Sequence, residues 1–305
     1  MQENKALNLH TVNDILCYAE RQFLTAKLHF GHGTDNAWDE AVVLVLHVLD
    51  LPIDSDGDTV KKRQLTDGER ERMLSLIDRR VNERVPAPYL THEAWFFGLS
   101  FYVDERVLIP RSPLAELIEQ AFSPWIEEDQ IESILDMGTG SACIACACAL
   151  TFPDAKVDAV DLHPQALEVA QINVGQHDLL TQVNLIQSDL FTELADKKYD
   201  IIISNPPYVD EQDMMSLPQE YRHEPDHALA SGNDGLNHVK AILRSAPDFL
   251  NDGGILVVEV GNSREALEHL LPRAPFVWLE FEHGGEGVFL LTKEELCLPC
   301  FKSIN

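Results

Sequence analysis

The sequence predicts an α/β fold. A seven-stranded, mostly parallel sheet lies between helices, preceded by a small helical N-terminal region and a connecting β-hairpin. Three observations predict it. From residue 113 onward, short β-branched apolar runs alternate with stretches of helical period. One run, Ile134-Leu135-Asp136-Met137, opens directly into the glycine turn Gly138-Thr139-Gly140. Another, Ile201-Ile202-Ile203-Ser204, is stopped by Asn205-Pro206-Pro207-Tyr208. Apolar runs of this kind mark strands covered on both faces, and their alternation with helices implies a parallel sheet.

Taken in order, residues 8–28 repeat Leu9, Val12, Ile15, Leu16, Ala19, Phe23 and Leu24 at helical spacing. The turn-rich loop 30–36 ends at Asn36, which caps a helix through 41–48. Thr66 and Glu69 read as a capping box for a helix through Met73, Leu76, Ile77 and Val81 to about Arg84. Pro86 and Pro88 end it, so residues 1–92 form a helical domain. Stretches 94–98 and 100–103 predict a hairpin within a connector over 93–112. The α/β domain occupies 113–305, with strands near 132–137, 156–161, 183–188, 199–204, 254–260, 276–282 and 287–292. Its helices are expected near 113–122, 141–151, 164–175, 235–250 and 263–271.

The chain has 305 residues, 45% of them hydrophobic, enough for an ample core. It contains no apolar run of about eighteen residues, and its first residues lack an apolar signal core, so a soluble, cytoplasmic protein is expected. The net charge of −28, from 51 acidic against 23 basic residues, repels a phosphate backbone and attracts a basic partner, and it equally suits solubility or a saline source. Of six cysteines, Cys143, Cys146 and Cys148 crowd one helix. Cys297 and Cys300 have C-x-x-C spacing without a second pair, so no metal site is expected.

The candidate site gathers at strand ends. Prolines give no N–H and little freedom, so the backbone after Ser204 leaves the sheet with bare carbonyls. Asn205 sits at the carboxyl edge of its strand, where open α/β sheets place ligands. Its side-chain oxygen and the Pro206 carbonyl offer acceptors to a flat NH₂ group, and Tyr208 offers an aromatic face. Gly138, Thr139 and Gly140 make a tight turn that lets a ligand approach the backbone. Asp161, ending the next strand, is placed to accept from ribose hydroxyls, and Asp189, beside Leu190, from an adenine amino group.

An acid before the glycines, Asp136, combined with N-P-P-Y at the fourth strand resembles class I S-adenosylmethionine-dependent methyltransferases, whose fold is Rossmann-like. Further motifs follow in order: Pro110-Arg111-Ser112-Pro113, Glu220-Tyr221-Arg222-His223-Glu224-Pro225 and Ala228-Leu229-Ala230-Ser231-Gly232-Asn233-Asp234-Gly235-Leu236. Over almost its whole length the chain resembles the HemK/PrmB group of protein-glutamine methyltransferases. The segment from Phe30 to Ala41, P-R-S-P and E-Y-R-H-E-P point to the branch acting on ribosomal protein L-three of the large subunit. The resemblance implies S-adenosylmethionine as cofactor and N5-methylation of a glutamine in a basic ribosomal protein. It implies a helical domain that recognises the substrate, with no nucleic acid or membrane as partner. Asn205, Pro206 and Tyr208 would be catalytic, with Pro207 also touching substrate. Asp136, Gly138, Thr139, Gly140, Asp161, Asp189, Leu190 and Asn205 would hold the cofactor.

Other readings stand beside it. Peptide release factors are the substrates of the sister branch, which usually shows a PRPETE-like stretch where this chain has P-R-S-P. An adenine or guanine amino group in DNA or RNA would suit the same corner. A non-catalytic binding protein could keep the same fold. His223-Glu224-Pro225-Asp226-His227 spells H-E-x-x-H, which binds zinc only on a continuous helix.

Overall fold

The computed structural model describes residues 9–282 and 284–304. Two compact units divide the chain: one holds 9–93 with Pro218–His223, the other Ala94–Leu217 with 224–304.

In the smaller unit, α1 (Val12–Ala26) starts at Thr11, whose hydroxyl accepts from the Asp14 N–H while Asp14 accepts in return from the Thr11 N–H. The stripe Val12, Ile15, Leu16, Ala19 and Phe23 is buried. Asn36 caps α2 (Ala37–Leu49) as expected. A short α3 (Gly57–Lys62) precedes α4 (Asp67–Asp78), which carries the Thr66–Glu69 box. Pro86 and Pro88 do not end helical structure here. They start α5 (Ala87–Thr91), because a proline in the first turn lacks only an N–H that has no helical partner.

The helix expected to reach Arg84 changes character at residue 79, where Arg79–Glu83 winds as a wider π-turn. Arg80 on that turn is fully buried. Its guanidinium donates to Glu40 at 2.5 Å, to Glu220 at 3.4 Å and to the His29 carbonyl at 2.8 Å. Glu220 also accepts from the His29 N–H at 3.0 Å and from Arg84 at 3.2 Å. Tyr221 packs its ring on His29 and His32. Two motifs far apart in sequence therefore share one polar core.

The larger unit opens with the hairpin β1 (Ala94–Phe96) and β2 (Leu99–Phe101), so these strands belong to it rather than to a separate connector. After α6 (Leu114–Glu119), β3 (Ser133–Met137), α7 (Cys143–Thr151), β4 (Lys156–Asp161), α8 (Pro164–Gln176), β5 (Val183–Gln187) and β6 (Tyr199–Ser204) alternate as expected. Then come α9 (Glu211–Ser216), α10 (Asn237–Phe249), β7 (Leu250–Glu259), α11 (Arg264–Leu270), β8 (Val277–Trp278), β9 (Val288–Thr292) and α12 (Lys293–Leu296). The strand order is β5-β4-β3-β6-β7-β9-β8. Pairing is parallel from β5 to β7 and antiparallel where β9 meets β7 and β8. The strand expected over 276–282 shrinks to two residues, since β8 is an edge paired only to β9, and short edges resist stray pairing.

Successive residues of β6 feed opposite cores: Ile201 and Ile203 join one buried cluster, Ile202 the other. Cys143, Cys146 and Cys148 fill the first of these. Burial pushes the Cys143 thiol up to about 12, so it packs as an inert small residue. Among the described residues no helix is long and apolar enough to cross a membrane.

Candidate active site

The strand order reverses beside β3, with β4 on one side and β6 on the other. In open α/β sheets the crevice at such a switch point takes the ligand. Met137 and Ser204 are register partners, so the glycine turn and the proline corner leave the sheet side by side. The Ser204 hydroxyl donates to the Met137 carbonyl at 2.7 Å and ties the two exits together. Here lies a cavity of about 1040 Å³, open solvent at its mouth included.

Gly138, Thr139, Gly140, Asp161, Asp189, Leu190, Asn205, Pro206 and Pro207 all line this cavity. The turn is braced from below: the N–H groups of Gly138 and Thr139 both donate to the Val160 carbonyl at 2.8 Å. Gly138 and Gly140 have φ of 76° and 54°, and no atom lies within 4 Å of where a Cβ would sit on either. The turn thus presents bare backbone to open space, a cradle that side chains would narrow.

The acids divide. Asp161 accepts the Gly140 N–H on one oxygen and the His163 N–H on the other, both at 2.9 Å, with a lone pair left on each. Asp189 is exposed on the wall, followed by Leu190 in a left-handed conformation at φ 48°. Asp136 is fully buried beneath the turn and is not on the wall. One of its oxygens accepts from the Thr139 hydroxyl at 2.5 Å and the Ala145 N–H at 3.0 Å. The other, Oδ1, has no partner among the described residues. Burial pushes its carboxyl up to about 7, helped by the nearby Asp161 charge.

At the corner, the carbonyls sort themselves. The Ser263 hydroxyl donates to the Tyr208 carbonyl at 2.7 Å, and the Ser231 N–H to that of Val209 at 2.9 Å. The Asn205 side chain and the Pro206 carbonyl have no hydrogen-bond partner among the described residues. Tyr208 departs from expectation. Its hydroxyl donates to Glu259 at 3.0 Å, its ring fills the space a Cβ on Gly261 would need, and it does not line the cavity.

A second tier holds these loops. Arg111 grips both oxygens of buried Glu224 at 2.6 and 2.8 Å, and Glu224 also accepts from the Ile109 N–H. The Ser112 hydroxyl donates to Glu259 at 2.6 Å, so one buried carboxylate joins P-R-S-P to N-P-P-Y. Burial pushes the Glu259 carboxyl up, against the hydrogen bonds of Ser112 and Tyr208 and the charge of Arg111. On the cavity wall the rings of His163 and His227 lie 3.6 Å apart. Burial lowers the His227 pKa, and the His163 charge adds to it. Sequence reasoning missed Glu259 and the wall histidines. Glu259 was within reach, since it ends a strand in an acid just as Asp136 and Asp161 do near their strand ends. The H-E-x-x-H string forms no zinc helix: Pro225 is extended between two separate 3₁₀ turns. Among the described residues no group of three or more potential ligands is placed to hold a metal.

A family model described as the methyltransferase small domain matches residues 119–234. A ribosomal protein uL3 glutamine methyltransferase from Bordetella pertussis is 48% identical over 297 residues, covering 97% of this chain and 99% of that one. Its namesake from Francisella tularensis is 45% identical over 97% of this chain and 94% of its own. Among solved structures, the hMettl16 catalytic domain in complex with an RNA hairpin aligns with a TM-score of 0.51. It shares 20% identity and covers 76% of this chain and 84% of that one. That last likeness concerns the fold alone.

Proposed function

The chain belongs to the ribosomal protein uL3 glutamine methyltransferases, and on that premise we propose that it methylates the side-chain nitrogen of a glutamine in uL3, with S-adenosylmethionine as donor. The observation that carries this is the corner itself: the Tyr208 and Val209 carbonyls are taken, while the Asn205 side chain and the Pro206 carbonyl stay open on the cavity wall.

The residues fit the donor. Bare glycine backbone and the Asp161 carboxylate line the wall where a nucleoside would lie, with Asp189 and Leu190 further along it. Buried Asp136 lies under the turn with one oxygen lacking a protein partner. When bound, S-adenosylmethionine supplies a methyl group carried on a positively charged sulfur.

The chain's own work is on the acceptor. An amide nitrogen is a poor nucleophile because its lone pair is delocalised into the carbonyl. Acceptors placed off the amide plane on its two hydrogens favour a pyramidal nitrogen over the flat ground state. Asn205 and the Pro206 carbonyl have this role, and Pro207 walls the amide in. Holding the nitrogen in line supplies the remainder, since orientation is worth about 7–11 kcal/mol of barrier. Tyr208 acts by bracing the corner through Glu259. The spare proton leaves the methylated nitrogen for water.

Charge supports a basic partner. Residues 94–217 and 224–305 carry 34 acidic against 11 basic residues, so the acidity is concentrated in the unit that bears the cavity. A field of that sign raises the encounter rate with a basic protein and falls off with salt.

The test is incubation with labelled donor and, separately, isolated uL3 or a peptide release factor. Label on a uL3 glutamine is expected. Label on the release factor alone moves the protein to the sister branch, and label on neither overturns the reading.

A further inference from the structure

Glu259 ends β7 at the carboxyl edge of the sheet, one residue past Val258, the register partner of Ser204. It is 6% exposed, and two hydroxyls converge on it. That of Tyr208 donates to Oε1 at 3.0 Å and that of Ser112 to Oε2 at 2.6 Å. Ser112 also accepts the Leu114 N–H at 3.2 Å, which leaves its own proton for the carboxylate. Ser112 lines the cavity on the P-R-S-P side, and Asn205 lines it on the N-P-P-Y side. One side chain on a buried strand therefore ties the two walls together.

Both ends of the tie are held. The Tyr208 ring lies against Gly261, at φ 44°, where a Cβ would stand 2.5 Å from a ring carbon. Its carbonyl lies against Gly235, where a Cβ would stand 2.3 Å from the oxygen. A side chain at either place would displace the tyrosine, so the glycines let its hydroxyl reach Glu259. At the other end, Arg111 beside Ser112 grips both oxygens of Glu224.

We propose that Glu259 is a positioning residue for methyl transfer: it holds the Ser112 wall and the Tyr208 corner as one body, and so fixes where Asn205 and the Pro206 carbonyl stand. This rests on the glutamine reading above. Glu259 itself does not line the cavity, so its effect on rate passes through the two hydroxyls. The corner's acceptors must meet the amide hydrogens off plane, and misplacement by about 1 Å can cost 100-fold in rate. Two links in series make a tie that breaks only once. Cutting either frees the corner, and cutting the second adds nothing.

That logic sets the test, since Ser112→Ala and Tyr208→Phe each remove a single oxygen. Each is expected to lower kcat toward uL3 about tenfold, with KM for the methyl donor unchanged within about twofold. The double variant is expected to stay near the same tenfold, whereas independent contributions would multiply to about hundredfold. Glu259→Met, which keeps the length without an acceptor, is expected to match it. Adding either hydroxyl deletion to Glu259→Met is expected to change kcat by less than about twofold. Glu259→Gln is expected to stay within about threefold of wild type, because its oxygen accepts from Ser112 and its amide donates to the Tyr208 oxygen. A double variant that multiplies, or wild-type kcat in either single deletion, would overturn the proposal. So would a glutamine variant as slow as methionine, because charge rather than the tie would then set the rate. If Glu259→Met does not fold, the cycle of the two hydroxyl deletions decides alone. If the wild-type protein labels no glutamine, the reading beneath fails and takes the proposal along. Full label with a multiplying cycle sinks the proposal alone.

Discussion

The two units treat buried polar atoms in opposite ways. In the helical unit, the three guanidinium nitrogens of Arg80 all donate, to Glu40, Glu220 and the His29 carbonyl. Glu40 takes a further bond from the Thr34 hydroxyl, and Glu220 from Arg84. In the unit with the cavity, Asp136 carries the one buried side-chain atom without a partner among the described residues. A few residues away in space, Asn205 and the Pro206 carbonyl are also left open. A closed polar cluster fixes geometry, and removing one member strands the others at full desolvation cost. An open one spends stability to keep acceptors for a ligand. The contrast assigns the first cluster to folding and the second to chemistry.

The sharpest way to break that assignment is Arg80→Met, which leaves Glu40 and Glu220 buried and unpaired. A loss of about 3–5 kcal/mol in unfolding free energy is expected by denaturant titration. A loss below about 1 kcal/mol would mean that the cluster contributes little to folding.

Asp136 tests the other side through pH. Its carboxyl is pushed up from 3.8 to about 7, so the folded state favours the protonated form. The stability this gives is fully present below pH 3.8 and is lost as pH rises through about 7. At most about 4 kcal/mol is at stake. Asp136→Asn, which cannot ionise, is expected to flatten the decline in unfolding free energy across that window. An equal slope in both proteins would show that burial here costs nothing.

Asn205→Ala separates chemistry from folding directly. Loss of one preorganised contact of this kind costs about 10²–10³ in kcat, or roughly 2.7–4 kcal/mol of barrier. Unfolding free energy should move by no more than about 0.5 kcal/mol, because the side chain has no protein partner to strand. Equal turnover in the variant would remove Asn205 from the mechanism.

How much of this was legible in the sequence follows the same divide. Ile201–Ile203 announced a strand covered on both faces, and two glycines after Met137 announced a turn, because local backbone chemistry determines both. Thr11, Asn36 and Thr66 act within three residues of themselves, and of these Asn36 and Thr66 were foreseen. What stayed hidden is set by distance along the chain. Glu220 reaches Arg80 across 140 residues and Glu224 reaches Arg111 across 113. No period or cap signals such pairs. Tyr208 shows the limit at the site: its place beside Asn205 said that it was near the cavity, but whether it lined the wall depended on Gly261 and Glu259, far along the chain.

Asp161 lies between the two kinds of polar group and gives the mildest test. It is half closed, with each oxygen holding a backbone N–H, and half open, with a lone pair left on each and the residue on the cavity wall. If the closed half dominates, Asp161→Ala loosens the Gly140 turn, and stability falls along with cofactor affinity. If the open half dominates, only affinity falls. Hydrogen bonds to a charged group are worth about 1.5–3 kcal/mol each, so calorimetry should record a drop of roughly tenfold or more in affinity for S-adenosylmethionine. The Gly140 N–H can turn to water at an exposed turn, so the stability change should stay below about 1 kcal/mol. Unchanged affinity would reject a ribose role. A stability loss as large as that of Arg80→Met would move Asp161 to the side of the molecule that serves only the fold.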